Sequence, residues 1–169
     1  MNPEVPPKNP AEGNVKQQGT IRLTSPAFQD GGSIPEKYGY TRQNVNPPLH
    51  IEGTPAGTRS LVLVMDDPDA LEPAGKIWDH WLVWNIPPTI HKIPEGWHST
   101  EAIEGTNDFG TTGYGGPSPP DKKHTYLFKL YALDTHLEIP SSSNKKEVGT
   151  AMSHHILAQT QLEGTFSPI

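Results

Sequence analysis

Acidic and imidazole side chains stand at the ends of three apolar segments of this sequence. Asp67 and Asp69 follow the apolar run 61–65, and His80 and His124 each stand at the start of another apolar segment. An acid or an imidazole is costly to bury unless a partner compensates it. We therefore expect these groups to lie together and to form a small polar pocket at the rim of a β-sheet.

The side chains of this predicted pocket differ in the hydrogen bonds that they can make. Two imidazoles, the phenol of Tyr126 and the hydroxyl of Ser118 can each donate to an anionic oxygen. Asp67 and Asp69 cannot do so when ionised, so we expect them to orient the imidazoles, to raise imidazole pKa values and to accept from an ammonium or alcohol. The mixture fits a ligand that pairs a phosphate with a polar or cationic head. The segment 117–120 would add a stiff wall with few main-chain donors.

Strand parity gives a first prediction of which side chains share a face, because side chains alternate along a strand with period two. In the segment that begins at His124, parity places Tyr126 on the same face as that imidazole. In the segment 79–86, parity places His80 with Leu82, Trp84 and Ile86. His80 is therefore predicted to head an apolar stripe.

Composition excludes several classes of protein. The 169 residues contain no Cys, which excludes disulfides and Cys-based metal sites, and 13 basic and 19 acidic side chains give a net charge of −6. An acidic chain without a basic stripe disfavours nucleic acid as a partner. Five glycines fall within 105–116, but no phosphate-loop Lys accompanies them, so nucleotide binding is not expected. The absence of a long apolar run and of an apolar leader predicts a soluble, cytoplasmic protein without a transmembrane segment.

The arrangement of apolar segments and turn residues predicts one mainly β domain over residues 19–169, preceded by a loose or draped, proline-rich arm over 1–18. The predicted strands cover residues 20–23, 60–65, 79–86 and 125–133. One late α-helix is predicted over 145–163, with Asn144 and Glu147 as a capping box and Gly164 as the C-terminal stop. Many strands with little helix indicate a sandwich-like domain.

The order of the motifs along the chain resembles the phosphatidylethanolamine-binding protein family, also called Raf kinase inhibitor-like proteins, in its bacterial and archaeal branch. The motifs that carry the resemblance are Asp67-Pro68-Asp69-Ala70, Trp78-Asp79-His80-Trp81, Gly115-Gly116-Pro117-Ser118-Pro119-Pro120 and His124-Thr125-Tyr126. The resemblance implies a β-sandwich on a central antiparallel sheet, with a few short helices and a small anion-binding pocket at one end. It implies the following pocket residues: Asp67, Asp69, His80, Ser118, Pro119, Pro120, His124 and Tyr126.

The resemblance also implies a function. The leading expectation is non-enzymatic binding of a phosphate-like anion or phospholipid head group, with a regulatory role for that binding and without a cofactor. Some family members form dimers, so a homodimer is one of the states that the resemblance allows. The sequence departs from the family pattern at Leu71, Ser118 and Thr125, where relatives commonly carry Pro, Cys or Gly, and Arg.

Two other functions remain open from the sequence. One is an interaction protein that inhibits a serine protease or a kinase through its surface loops. The other is a hydrolase that uses acid/base chemistry, or a metal held by Asp67, Asp69, His80 and His124. No Gly-x-Ser-x-Gly or His-Glu-x-x-His motif supports the hydrolase.

Overall fold

The computed structural model describes residues 9–169, which form nine strands and two short α-helices. The strands are β1 (Arg22–Thr24), β2 (Gly32–Ser33), β3 (Leu49–Glu52), β4 (Ser60–Asp67), β5 (Trp78–Ile86), β6 (Lys92–Ile93), β7 (Ile103–Glu104), β8 (His124–Leu133) and β9 (Ile156–Phe166). The α-helices are α1 (Leu71–Ala74) and α2 (Lys145–Met152), and 3-10 turns cover Glu36–Tyr38 and Pro68–Ala70. No helix within residues 9–169 has the length and apolar character that a bilayer span requires.

Two sheets form the sandwich. The larger sheet has six strands in the order β2-β9-β8-β4-β5-β7, and the smaller has three in the order β1-β3-β6. Every pairing is antiparallel except that of β2 with β9. The predicted fold class, a mainly β sandwich on a central antiparallel sheet with few helices, is confirmed.

The central strands are buried on both faces. One face of β4, represented by Leu61 and Leu63, packs in a cluster with residues of the smaller sheet such as Ile51. The other face, represented by Val62, packs in a second cluster with Val148 of α2. A strand that is covered on both faces has a continuous run of apolar residues. For this reason the central strands could be predicted from the sequence.

Strand β5 departs from regular pairing with β4. Trp81 pairs with Met65, whereas Asp79 pairs with Asp66, so His80 is an extra residue between the two pairs. An extra residue of this kind is a β-bulge, which re-aims the side chains that follow it.

The bulge overturns the parity prediction for β5. His80 faces Tyr126, with 5.1 Å between the ring centroids, whereas Leu82 and Trp84 lie in the cluster on the opposite face. A second irregularity, where Asn85 adopts a positive φ of 56°, returns Ile86 to the first face. His80 therefore does not head the predicted stripe.

The predicted late helix is correct at its start and wrong at its end. Asn144 and Glu147 form the predicted capping box, but the helix ends at Met152 and the chain continues as β9. Along β9 the buried residues alternate with less buried ones, as in a strand with one face on the core. Gly164 does not stop a helix. It lies within β9, where an added Cβ would come within 2.6 Å of Ile34 Cγ1.

The predicted N-terminal arm lies partly outside the described residues, which begin at Asn9. Residues 9–18 are held against the larger sheet rather than loose. Ala11 is fully buried in the cluster that also contains α2, and the hydroxyl of Tyr131 donates to Pro10 O over 2.7 Å. Gln18 bridges to Gln159 of β9.

A buried charge cluster joins β4, β8 and α2 on the same side of the larger sheet. Asp66 Oδ2 accepts from Lys129 Nζ at 2.8 Å and from Lys145 Nζ at 3.0 Å. Lys145 also lies 2.8 Å from Asp79 Oδ1. Burial lowers the pKa of Lys129, so its charge depends on Asp66. The cluster fixes the helix to the sheet.

We expect Asp66→Ala to destabilise the protein by about 3–5 kcal/mol, because it leaves the buried ammonium of Lys129 without a carboxylate partner. Urea unfolding at neutral pH measures the change. Asp134→Ala, which removes a hydrogen bond between the half-exposed side chains of Asp134 and His155, is the control and should cost less than about 1 kcal/mol. A similar loss in the two variants would contradict the proposed importance of the cluster.

Candidate functional site

A cavity of about 330 Å³ opens where β4 ends and where β5 and β8 begin. It brings together seven of the eight predicted site residues, namely Asp67, His80, Ser118, Pro119, Pro120, His124 and Tyr126. The remaining lining residues are Tyr40, Thr41, Ala70, Pro73, Ala74, Trp78 and Phe109. The lining combines polar groups with aromatic and small apolar groups.

Asp69 is the predicted residue that does not line the cavity. Its side chain is exposed, and its Oδ2 accepts from the backbone N–H of Thr125 at 2.8 Å. Its own N–H donates to Asp67 Oδ1 at 3.0 Å. Asp69 thus fixes the start of β8 and the orientation of Asp67 without lining the cavity.

The chain turns sharply at Asp67 for local reasons. The Asp67 side chain caps the 3-10 turn Pro68–Ala70, with proline at the first position of the turn, as expected for an Asp-Pro start. Leu71, which replaces the family's usual proline, continues into α1, and Gly75 ends that helix with a φ of 76°. The departure at Leu71 leaves the turn intact.

His124 lies between two carboxylates. Its Nδ1 is 2.6 Å from Asp67 Oδ2, and its Nε2 is 2.7 Å from Asp121 Oδ1. Burial alone would lower the pKa of His124, but the hydrogen bonds to Asp67 and Asp121 raise it above its ordinary value. Because a carboxylate can only accept, both ring nitrogens donate and His124 is an imidazolium.

Asp67 and Asp121 differ in their surroundings. Burial raises the pKa of Asp67, although the hydrogen bond from His124 opposes that rise. Burial also acts to raise the pKa of Asp121, but here the hydrogen bond from His124 prevails and the pKa is lowered. The Asp121 side chain is 37% exposed, whereas that of Asp67 is 4% exposed. The pair therefore combines one buried and one solvated carboxylate.

His80 has the opposite protonation state. Its Nδ1 lies 2.6 Å from the carbonyl oxygen of Gly115, which requires a proton on Nδ1. Burial lowers the pKa of His80 to about 4, so the ring is neutral at pH 7 and its Nε2 is an acceptor. Gly115 allows this approach, because an added Cβ would come within 2.5 Å of Phe109 Cδ2. The sequence led us to expect that both imidazoles donate to an anionic oxygen of a ligand. In the structure neither imidazole has a free N–H group for this.

Two donors at the cavity have no hydrogen-bond partner among residues 9–169. They are the hydroxyl of Tyr126 and the indole N–H of Trp78, both buried. Burial, together with the neighbouring Asp67 carboxylate, raises the pKa of Tyr126 well above its ordinary value, so the phenol keeps its proton. A buried donor without a partner costs roughly 1–3 kcal/mol, and a ligand that accepts from it would recover that cost.

The aromatic side of the cavity was not predicted from the sequence. The rings of Tyr40 and Phe109 stack with centroids 3.9 Å apart and an angle of 8° between their planes. Trp78 meets Phe109 edge to face, with centroids 5.5 Å apart. Trp78 could have been found from its position two residues before His80. Tyr40 and Phe109 come from loops and carry no comparable signal.

Asp121 was also missed, although its spacing of three residues from His124 was visible.

In residues 9–169 no group of three or more His, Asp or Glu side chains has the arrangement of a metal site. Of the four side chains suggested for a metal, Asp67 and His124 bind each other and Asp69 lies outside the cavity.

Comparison with known proteins agrees with this architecture. Residues 24–167 match the family model described as phosphatidylethanolamine-binding protein. The chain therefore belongs to the phosphatidylethanolamine-binding protein family. A curated relative, the UPF0098 protein of Methanothermobacter thermautotrophicus, is 40% identical over 156 residues, which cover 86% of this chain and 98% of the relative.

Two solved structures share the fold. A homologue of phosphatidylethanolamine-binding proteins from Chlamydia trachomatis, CT736, is 38% identical and superposes with a TM-score of 0.83 over 88% of this chain and 98% of its own. The Escherichia coli protein YbcL, described as a new member of the mammalian PEBP family, is 32% identical and superposes with a TM-score of 0.80. The match covers 88% of this chain and 98% of YbcL.

We expect the pKa values of the two cavity histidines to be shifted in opposite directions from the ordinary value of 6.5. His80 should stay neutral down to about pH 4, and His124 should stay protonated above pH 6.5. By linkage, the stability that comes from His80 is lost as the pH falls from 6.5 towards 4, and that from His124 is lost as the pH rises through its raised pKa.

Imidazole proton–nitrogen NMR spectra over pH 3.5–9 measure both pKa values. His154, which follows α2, provides an internal comparison outside the cavity. If His80 and His124 titrated together near 6.5, the hydrogen bonds assigned to them would be wrong.

Proposed function

We propose that this protein binds a small ligand with a phosphate-like anion, such as a phospholipid head group, in the cavity between β4, β5 and β8. The observation that supports this most strongly is the buried hydroxyl of Tyr126, which has no partner among the described residues. It belongs to the same cavity as the imidazolium of His124. An anionic oxygen could accept from the phenol and, if it reaches the imidazolium, make a charge-assisted hydrogen bond.

The acceptors of the cavity favour a ligand that also carries a donor. Asp67 and the unprotonated Nε2 of His80 can accept hydrogen bonds from an alcohol or an ammonium group. The stacked rings of Tyr40 and Phe109, with the nearby Trp78, offer apolar and π surface to the carbon atoms next to the phosphate. A phosphate ester of a small amino alcohol combines these features.

We propose binding without catalysis. His124 donates through both nitrogens to carboxylates, so it has no lone pair with which to activate a nucleophile. Among the hydrogen bonds of residues 9–169, none joins Ser118 to an imidazole, and Ser118 is exposed. His80, with a pKa of about 4, is a weak base, far from the pKa near neutrality that suits general base catalysis.

We expect Tyr126→Phe to weaken the binding of phosphoethanolamine by about tenfold to a hundredfold, because a hydrogen bond to a charged group contributes about 1.5–3 kcal/mol. Isothermal titration calorimetry, or phosphorus NMR for weak binding, measures the dissociation constant. Thermal unfolding should show at most a small loss of stability, because the hydroxyl makes no well-formed hydrogen bond within residues 9–169, although Asp67 lies near it.

Tyr131→Phe is the matched control. Its hydroxyl donates to Pro10 O on the other side of the sheet, so this variant should lose stability and keep its affinity. Equal affinities in Tyr126→Phe and the unmodified protein would contradict the proposed role of Tyr126. If neither the unmodified protein nor the two variants bound phosphoethanolamine at several tens of millimolar, the proposed function itself would be wrong.

A further inference from the structure

The first residues of β5, which include the bulge at His80, have one edge that is not paired with a strand of residues 9–169. On that edge β7 pairs with β5 at Val83 and Trp84, and the chain then continues as a loop over residues 105–117, which we call the covering loop. A bulge interrupts the regular hydrogen bonds of a strand pair, yet buried backbone groups need partners. The covering loop must therefore supply them.

The covering loop contacts the bulge through two backbone hydrogen bonds and one side-chain hydrogen bond. The N–H of Gly115 donates to His80 O and the N–H of Asp108 donates to Asp79 O, both at 2.9 Å. The N–H of Asp79 donates to Asp108 Oδ2 at 2.6 Å. Asp108 thus pairs with both backbone groups of Asp79, and its carboxylate takes the place that the carbonyl of a neighbouring strand would have.

Asp108 is itself held by its surroundings. Its Oδ1 accepts from Lys76 Nζ at 2.8 Å. The preceding residue, Asn107, is 3% exposed, and its side chain accepts from the N–H of Phe109 at 2.9 Å and donates to Gly113 O at 3.0 Å. A buried polar side chain whose hydrogen bonds are satisfied makes a segment rigid. The covering loop therefore presents the Asp108 carboxylate in a fixed position.

The residues that follow this contact on both chains line the cavity. His80 follows Asp79 and Phe109 follows Asp108, and the rings of His80 and Phe109 meet edge to face with centroids 5.6 Å apart. Asp79 and Asp108 do not line the cavity. They line a separate groove that also contains residues of α1 and α2. The contact between Asp108 and Asp79 thus lies behind the wall of the cavity.

We propose that Asp108 is a positioning residue of the cavity, whose carboxylate holds the bulge of β5 and thereby keeps the ring of His80 turned towards Tyr126. Without this acceptor, the covering loop keeps a single hydrogen bond to Asp79, and the bulge loses the contact that fixes its place. The inference concerns the shape of the cavity, and it rests on the proposed function only for its effect on binding.

The charge of Asp108 offers a rival explanation, and the two explanations make opposite predictions for His80. Burial lowers the pKa of His80 to about 4, while the carboxylates of Asp66 and Asp108 act to raise it. If Asp108 acts through its charge alone, losing that charge lowers the pKa of His80 further. If Asp108 acts through its position, losing the contact lets the ring reach solvent, and the pKa of His80 rises towards its ordinary value.

Two substitutions separate position from charge. Asp108→Asn removes the charge but keeps an oxygen that can accept from the N–H of Asp79, whereas Asp108→Glu keeps the charge and displaces the carboxylate. Imidazole proton–nitrogen NMR on the full chain measures the pKa of His80. We expect that pKa to stay at about 4 or below in Asp108→Asn and to rise towards 6.5 in Asp108→Glu. Asp108→Ala removes the acceptor without added bulk, so it gives the same prediction if the longer side chain prevents folding.

Lys76→Gln is the matched control. It breaks the ion pair of Lys76 with Asp108 and leaves the hydrogen bond between Asp108 and Asp79, so the pKa of His80 should stay close to 4. The role of Asp108 would be overturned if this pKa stayed constant or fell in Asp108→Glu and Asp108→Ala. A rise towards 6.5 in Asp108→Asn or in Lys76→Gln would also overturn it.

Binding of phosphoethanolamine separates this inference from the proposed function. The dissociation constant should increase by about three- to tenfold in Asp108→Glu, the effect of one lost hydrogen bond to His80 Nε2, and should change little in Asp108→Asn. If His80 responds as expected while none of the proteins binds phosphoethanolamine, the proposed function is wrong and the positioning role stands. If the ligand binds but His80 does not respond, the positioning role is wrong and the proposed function stands.

Discussion

Two adjacent carboxylates at the end of the central strand must both be compensated, and much of the structure follows from how this is done. Asp66 and Asp67 are each at most 3% exposed, and successive residues of a strand point to opposite faces of the sheet. Asp66 is compensated by lysines from β8 and α2. Asp67 is compensated by His124. One dipeptide thus anchors the helix on one face and lines the cavity on the other.

The bulge at His80 completes this arrangement on the neighbouring strand. Regular alternation would place His80 with Leu82 and Trp84 in the apolar cluster behind the sheet. The extra residue instead turns the imidazole towards Tyr126, where a backbone carbonyl of the glycine-rich segment satisfies its Nδ1. The cavity therefore contains one charged and one neutral imidazole, and the difference comes from their partners: carboxylates for His124, a carbonyl for His80.

The strands and the turn after β4 could be predicted because their signals are local, whereas the expectation that three strand ends meet at one cavity came from the family resemblance. Segments such as 60–65 are apolar and bounded by turn residues, and the Asp-Pro-Asp turn follows from short-range hydrogen bonds. The helix was extended too far because Ile156 and Leu162 also satisfy a helical spacing, although the alternation of β9 fits a strand as well. The bulge depends on pairing between strands, which no single segment encodes. Tyr40 and Phe109 meet only because two loops fold over the same strand ends.

The residues that line the cavity come from two kinds of chain segment, the strands of the larger sheet and the segments that connect strands. The polar residues Asp67, His80, His124 and Tyr126 belong to strands whose positions are fixed by the core, whereas Tyr40, Phe109 and Ser118 belong to connecting segments. Connecting segments tolerate substitution better than a core that is packed on both faces. Mutation in the connecting segments can therefore change the lining of the cavity while the strands keep the same polar residues. Over evolutionary time the shape of the cavity can vary although the fold stays the same.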